Sequence, residues 1–99
     1  AIVDQVKVIE EALRRISTDG AVTYGKKMVS EASEQGAVET LVIEAGLLRG
    51  EEESTEWEEI ASSVKASGGR VIQASSEHDS GKQLLGMGGA IAILRWKLE

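Results

Sequence analysis

The run from Thr40 to Ile43 is the clearest strand signal in this chain. It is largely apolar and rich in β-branched residues, and turn-forming residues bound it. A strand that is buried on both faces has this continuous pattern, whereas a strand with one wet face alternates between apolar and polar residues. The sequence therefore predicts a central strand in a sheet that is covered on both sides.

A helix is predicted before this strand, at the start of the chain. Its apolar residues recur at spacings of four, three, four and three: Ile2, Val6, Ile9, Leu13 and Ile16. Its solvent-facing side is expected to hold four charged residues: Glu10, Glu11, Arg14 and Arg15. We expect Gly20 to close the helix in the left-handed conformation.

Three further helices are indicated by short apolar stripes and helix-ending residues. The inward residues of the second and third helices are predicted to be Met28, Val29, Ala32, Trp57, Ile60, Ala61 and Val64. Thr55 and Glu58 have the spacing of a capping box for the third helix. The fourth helix is expected to start with Ser76 as its cap and to end at Gly86. Residues 45–53 are expected to form a loop.

The remaining strands are predicted at residues 21–24, 70–74 and 90–96. Strands that alternate with helices at such short spacing predict the α/β class, here a three-layer α/β/α sandwich around three or four strands. Residues 1–99 suit a single domain. Because the chain begins with Ala, we expect a piece of a longer protein, with Leu98-Glu99 as a cloning remnant.

The last predicted strand ends in Arg95 and Trp96. Alternation assigns six side chains to two faces: Ile91, Ile93 and Arg95 to one, and Ala92, Leu94 and Trp96 to the other. A large aromatic residue at a strand end often belongs to a core, but Trp and Arg are also enriched at the energetic centres of interfaces. The residues alone leave packing and partner contact equally open for this pair.

The chain is acidic, with a formal net charge of −6. Phosphate contacts depend on a basic face, so this charge argues against broad nucleic-acid binding. Residues 1–64 hold 14 acids against 6 Lys or Arg, whereas residues 65–99 hold 5 Lys or Arg against 3 acids. A glutamate cluster is expected to face solvent, with steering of a basic partner as the alternative: Glu51, Glu52, Glu53, Glu56, Glu58 and Glu59. With no cysteine and no apolar run of about 20 residues, the default expectation is the cytoplasm.

No group of residues predicts catalysis, a metal site or a cofactor. Gly88 and Gly89 lie between a helix and the following strand, whereas phosphate-binding loops run from a strand into a helix, so an ordinary turn is expected. His78 is the only histidine and cannot complete a tetrahedral site with Glu77 and Asp79 in a chain without cysteine. Nothing fixes a serine, this histidine and a carboxylate in mutual reach. We expect a domain without catalytic residues.

Five dispersed segments carry a family resemblance. They are Tyr24-Gly25, Gly36 to Ile43, Leu47-Leu48-Arg49, Ser75 to Leu84 and Ala92 to Trp96. Together they resemble the C-terminal domain of the Pelota family, the translation-surveillance relatives of class-1 peptide-release factors, and the compact ending is more similar to archaeal members. The resemblance implies a small mixed sheet, with a fold similar to the kink-turn-binding ribosomal proteins and the release-factor C-terminal domain.

The resemblance also implies a role in mRNA surveillance and the rescue of stalled ribosomes, as in no-go decay. In related release factors, the segment that matches Ala92 to Trp96 takes part in binding a translational GTPase related to elongation factors. Carried over by position, it nominates four partner-binding residues: Ile93, Leu94, Arg95 and Trp96. The ribosome and the ribosome-recycling ATPase are further implied partners. Endonuclease activity assigned to some family members belongs to an N-terminal domain, so it implies no catalysis here.

Two alternatives stay open. Class-1 release factors share this domain but insert a subdomain where this chain has only about a dozen residues, between Ile43 and Trp57. Kink-turn RNA binders carry Gly-x-Asn-Glu at the start of the second helix, where this chain has Tyr24-Gly25-Lys26-Lys27. The short link favours Pelota over a release factor, and the missing Asn and Glu weaken the hypothesis of structured-RNA binding.

Overall fold

The computed structural model describes residues 2–49 and 54–97, including their side chains except those of residues 2–4 and 54. In chain order the elements are α1 (Ile2–Ser17), β1 (Val22–Tyr24), α2 (Lys26–Glu34), β2 (Val38–Glu44), a 3-10 helix (Ala45–Leu48), α3 (Ser54–Ala66), β3 (Arg70–Ala74), α4 (Asp79–Leu85) and β4 (Ala90–Leu94). None of the described helices has the length and apolar character that crossing a bilayer requires.

The four strands form one mixed sheet in the order β1-β4-β2-β3. β2 runs parallel to β3 and antiparallel to β4, and β4 is antiparallel to β1. The predicted central strand is confirmed, since β2 has a neighbour on each side. Leu94 lies opposite Val38, while Arg70 pairs with Thr40. The end of β4 therefore lies at the same edge of the sheet as the starts of the other three strands.

Helices cover both faces of the sheet. α2 and α3 pack on the face that carries Leu41 and Ile43, and α1 and α4 pack on the face that carries Val42. Successive side chains of β2 thus enter opposite cores, which explains its continuous apolar sequence. The predicted three-layer sandwich is confirmed. So is the inward stripe of α3, whose four residues are buried: Trp57, Ile60, Ala61 and Val64.

Some predicted helix details were wrong. The left-handed residue after α1 is Asp19, with φ 57°, rather than Gly20. Asp tolerates this conformation better than most side chains because its short polar group bonds locally. Val6 and Met28 are 39 % and 47 % exposed. The buried residues of α1 include Ile9 and Ala12, so the stripe predicted from spacing alone wrongly placed Val6 in the core.

Several predicted boundaries also differ from the structure. β4 ends at Leu94, two residues before the predicted end, and a bend follows. α4 begins at Asp79 after His78, so Ser76 lies in the preceding turn and does not cap the helix. Thr55 lies inside the first turn of α3. The predicted loop contains the 3-10 helix, and Glu51, Glu52 and Glu53 lie outside the described residues.

Candidate partner-binding surface

The four nominated residues do not share one environment. Ile93 is 5 % exposed and packs in the core beneath α1, while Leu94 is 3 % exposed and packs in the core beneath α2 and α3. Both side chains fill the interior as the last residues of an interior strand. Of the four nominated residues, only Arg95 and Trp96 are exposed and so accessible to a partner.

Arg95 connects the end of β4 to the end of α3. Its backbone N–H donates to the Ala37 carbonyl at 2.7 Å, and its guanidinium Nη2 donates to the Ser67 carbonyl at 2.8 Å. Ser67 follows α3, where carbonyl groups lack partners and the helix dipole favours a cation. Continued strand alternation would have placed Arg95 on the α1 face, and the bend after Leu94 turns it to the opposite layer instead.

Lys97 connects the same segment to the other helical layer. Its Nζ lies 2.8 Å from Oδ2 of Asp19, in the turn that follows α1. The hydrogen bond from Lys97 lowers the pKa of Asp19 below its usual value. The side chains of Arg95 and Lys97 are thus bonded to opposite helical layers, and Trp96 lies between them in the chain.

Trp96 is half exposed, at 50 %, whereas the other tryptophan, Trp57, is 2 % exposed in the core. Large indole groups give more binding energy per residue than most side chains when a partner desolvates them. Because both neighbours of Trp96 are hydrogen-bonded, its backbone is already placed and less conformational entropy is lost on binding. We define the strand-exit surface as Arg95, Trp96 and Lys97.

Arg15 supports this surface from α1, although the sequence placed it on the wet side of that helix. Its Nη1 donates to the carbonyls of Ala21 and Leu94, at 3.2 and 3.4 Å, and its Nε lies 2.7 Å from a Glu11 carboxylate oxygen. Hydrogen bonds from Arg14 and Arg15 lower the pKa of Glu11. This network joins α1 to Ala21, just before β1, and to the last residue of β4, and no apolar periodicity could have revealed it.

The opposite end of the sheet carries His78 and the glycine-rich turn before β4. His78 and its two acidic neighbours are exposed, and no group of three or more potential metal ligands occurs in the described ranges. Gly88 and Gly89 have φ of 87° and 98° in the turn before β4. A Cβ on Gly88 would lie 2.9 Å from Cα of Gly25, so close backbone approach explains this glycine. Its place between α4 and β4 confirms the predicted turn.

An open groove of about 820 Å³ separates α2 and α3. Glu31 and Glu34 line one wall and Glu56 and Glu59 the other, and Lys26 Nζ lies 2.9 Å from Glu56 Oε1. The described part of the predicted glutamate cluster is exposed: Glu56, Glu58 and Glu59. Steering of a basic partner by this cluster stays a prediction.

Comparison with known proteins places this architecture in a class. The family model described as eRF1 domain 3 matches residues 2–98. A Pelota homologue of Pyrococcus furiosus is 41 % identical over 97 residues, which cover 96 % of this chain and 26 % of that protein. The chain therefore belongs to the eRF1 domain 3 family and, within it, to the Pelota branch that the sequence resembles. It spans about a quarter of the length of such relatives.

Two solved structures show the same fold. Saccharomyces cerevisiae Dom34 is described as a translation termination-like factor in RNA quality control that interacts with Hbs1; it aligns with a TM-score of 0.92 and 27 % identity, over 97 % of this chain and 28 % of its own. A ribosome-bound archaeal Pelota with ABCE1 aligns with a TM-score of 0.84 and 40 % identity, over 97 % of this chain and 27 % of its own.

Proposed function

We infer that this domain is a non-catalytic interaction module of a Pelota-type factor. It docks a translational GTPase of the elongation-factor type during mRNA surveillance and rescue of stalled cytoplasmic ribosomes. Family membership supports the setting, and the interaction described for Dom34 with Hbs1 supports the class of partner. The ribosome-bound Pelota with ABCE1 supports the ribosome as a further partner.

The observation that carries the docking proposal is Trp96 on the strand-exit surface. Its indole is half exposed and lies between two residues that are held by hydrogen bonds. It lies at an edge of the sheet and is not part of either core. Arg95 donates one guanidinium N–H to Ser67, which leaves further N–H groups of the same fork to reach a partner. Ile93 and Leu94 act indirectly, since they hold the end of β4 in place.

The test is calorimetric titration of the chain with an archaeal elongation-factor-like GTPase. Trp96→Ala should weaken binding by about 30-fold or more, because a central aromatic anchor contributes about 2 kcal/mol or more. Tyr24→Ala is the matched control, since Tyr24 is 48 % exposed at the opposite end of the sheet, and it should change the dissociation constant less than about threefold. Equal effects of both substitutions, or unchanged binding after Trp96→Ala, would remove the assignment of this surface.

A further inference from the structure

The end of β4 is hydrogen-bonded to the turn between α1 and β1. The carbonyl of Ala21, just before β1, accepts the backbone N–H of Leu94 at 3.0 Å and Nη1 of Arg15 at 3.2 Å. The same Nη1 also donates to the carbonyl of Leu94, at 3.4 Å. One guanidinium group therefore bridges the residue before β1 and the last residue of β4, and Trp96 follows that residue by two positions.

Arg15 is itself held in place within α1 and by the turn. Its Nε lies 2.7 Å from a carboxylate oxygen of Glu11, and its side chain is only 29 % exposed. Its backbone carbonyl accepts the N–H of Gly20 at 2.6 Å, so the turn after α1 also packs on this residue. A planar guanidinium presents its donors in fixed directions. With Nε bonded to Glu11, Nη1 is directed at the two carbonyl groups.

The same turn reaches the other side of Trp96. Asp19, which precedes Gly20, is bonded to Lys97 at 2.8 Å. The turn that Arg15 supports is therefore bonded to the chain both before and after Trp96. Arg15 belongs to neither hydrophobic core, and an ion pair at this exposure adds little to global stability. Its main effect should be local order at the end of β4.

We propose that Arg15 is a positioning residue for partner docking, which holds the end of β4 so that Trp96 is already in its binding conformation when the translational GTPase arrives. This inference rests on the proposed function and adds the residue that preorganises its surface. Ordering a chain segment during association costs affinity, and order that exists beforehand removes that cost. Arg15 acts through Trp96 and does not itself touch the partner.

The test is calorimetric titration with an archaeal elongation-factor-like GTPase. Arg15→Gln should weaken binding by about fivefold, because the end of β4 must then be ordered during association. Arg14→Gln is the matched control, since it removes the same charge from the neighbouring residue. The side chain of Arg14 is 64 % exposed and, among the described residues, is bonded only to Glu11. Because a surface ion pair contributes little, this control should weaken binding less than about twofold.

A double-mutant cycle distinguishes positioning from direct contact. In the Trp96→Ala background, Arg15→Gln should weaken binding less than about twofold, because the indole that it positions has been removed. The same loss in both backgrounds would show that Arg15 acts independently of Trp96 and would overturn the inference.

Local order is measured by NMR relaxation of the unbound chain. Arg15→Gln should lower the order parameter of the Trp96 backbone N–H from about 0.85 toward about 0.6, whereas Arg14→Gln should leave it unchanged. A Trp96 backbone that stays rigid in Arg15→Gln would contradict the positioning role, because a residue of purely structural importance would alter the unfolding temperature without this local change.

Thermal unfolding shows whether Arg15→Gln folds, and Arg15→Lys decides the question if it does not. Lysine keeps the charge beside Glu11 but lacks the fork that reaches both carbonyls, so Arg15→Lys should weaken binding by about threefold. Equal affinities of the Arg15 and Arg14 variants, with binding weakened in Trp96→Ala, would overturn this inference and leave the proposed function standing. Failure of the unsubstituted chain to bind the GTPase would overturn both.

Discussion

Leu94→Ala should strongly lower the free energy of unfolding of this protein, even though Leu94 lies in the segment that is nominated for partner binding. Leu94 is 3 % exposed in the core under α2 and α3, at the end of an interior strand. Removing a buried leucine side chain beyond Cβ costs about 2–5 kcal/mol, because transfer energy is lost and a cavity remains. At about 3 kcal/mol, with a urea dependence of about 1.5 kcal/mol/M, the unfolding midpoint should fall by about 2 M.

Urea titration followed by tryptophan fluorescence measures this loss, because Trp57 is buried in the folded protein. Leu85→Ala is the matched control, since it makes the same chemical change at a side chain that is 48 % exposed in α4. It should shift the free energy of unfolding by less than about 0.5 kcal/mol. Similar losses in the two variants would refute the assignment of Leu94 to the core and return it to the candidate surface.

Two other predictions test the backbone and the charges. Gly81→Ala should destabilise the fold by about 1–3 kcal/mol in thermal unfolding, because the added Cβ would overlap the Ser75 carbonyl. The control, Gly86→Ala, changes a residue in open helical backbone and should be neutral or stabilising. Equal effects of the two substitutions would contradict the close packing at Gly81. Asp19 has a lower pKa in the folded chain than in the unfolded one, so its ion pair with Lys97 stabilises the fold above about pH 4 and this contribution is lost as the pH falls through the folded pKa. Asp19→Asn should therefore flatten the acid limb of the stability profile, and an unchanged limb would show that the pair contributes nothing.

Much of the fold was readable because burial imposes a period on the sequence. The continuous run in β2, the inward residues of α3 and the bounds of β3 follow from residue types that suit a doubly covered strand or one helical face. The errors fell where period is a weak guide. Met28 lies beside the inward residue Val29 yet points outward, because neighbouring helical side chains diverge by about 100°.

The candidate site was only partly readable for a similar reason. A family motif nominates a contiguous segment, but alternation and burial divide that segment among different roles. Ile93 and Leu94 lie in two separate cores, Arg95 is bonded to the end of α3, and Trp96 is half exposed. The interaction of Arg15 with the end of β4 connects residues 79 positions apart, so no local pattern contains it.

The order of amino acids by itself determined the class of fold, the family and the strand at which a partner is expected, because these depend on residue type and spacing. Tertiary structure alone decided which side chains at the end of that strand are exposed and accessible to a partner. It brought Arg95 to the Ser67 carbonyl after α3, and Lys97 to Asp19 after α1, so that Trp96 lies between residues bonded to distant parts of the chain. A binding surface depends on side chains brought together through space, and that proximity exists only once the sheet and its two helical layers have closed.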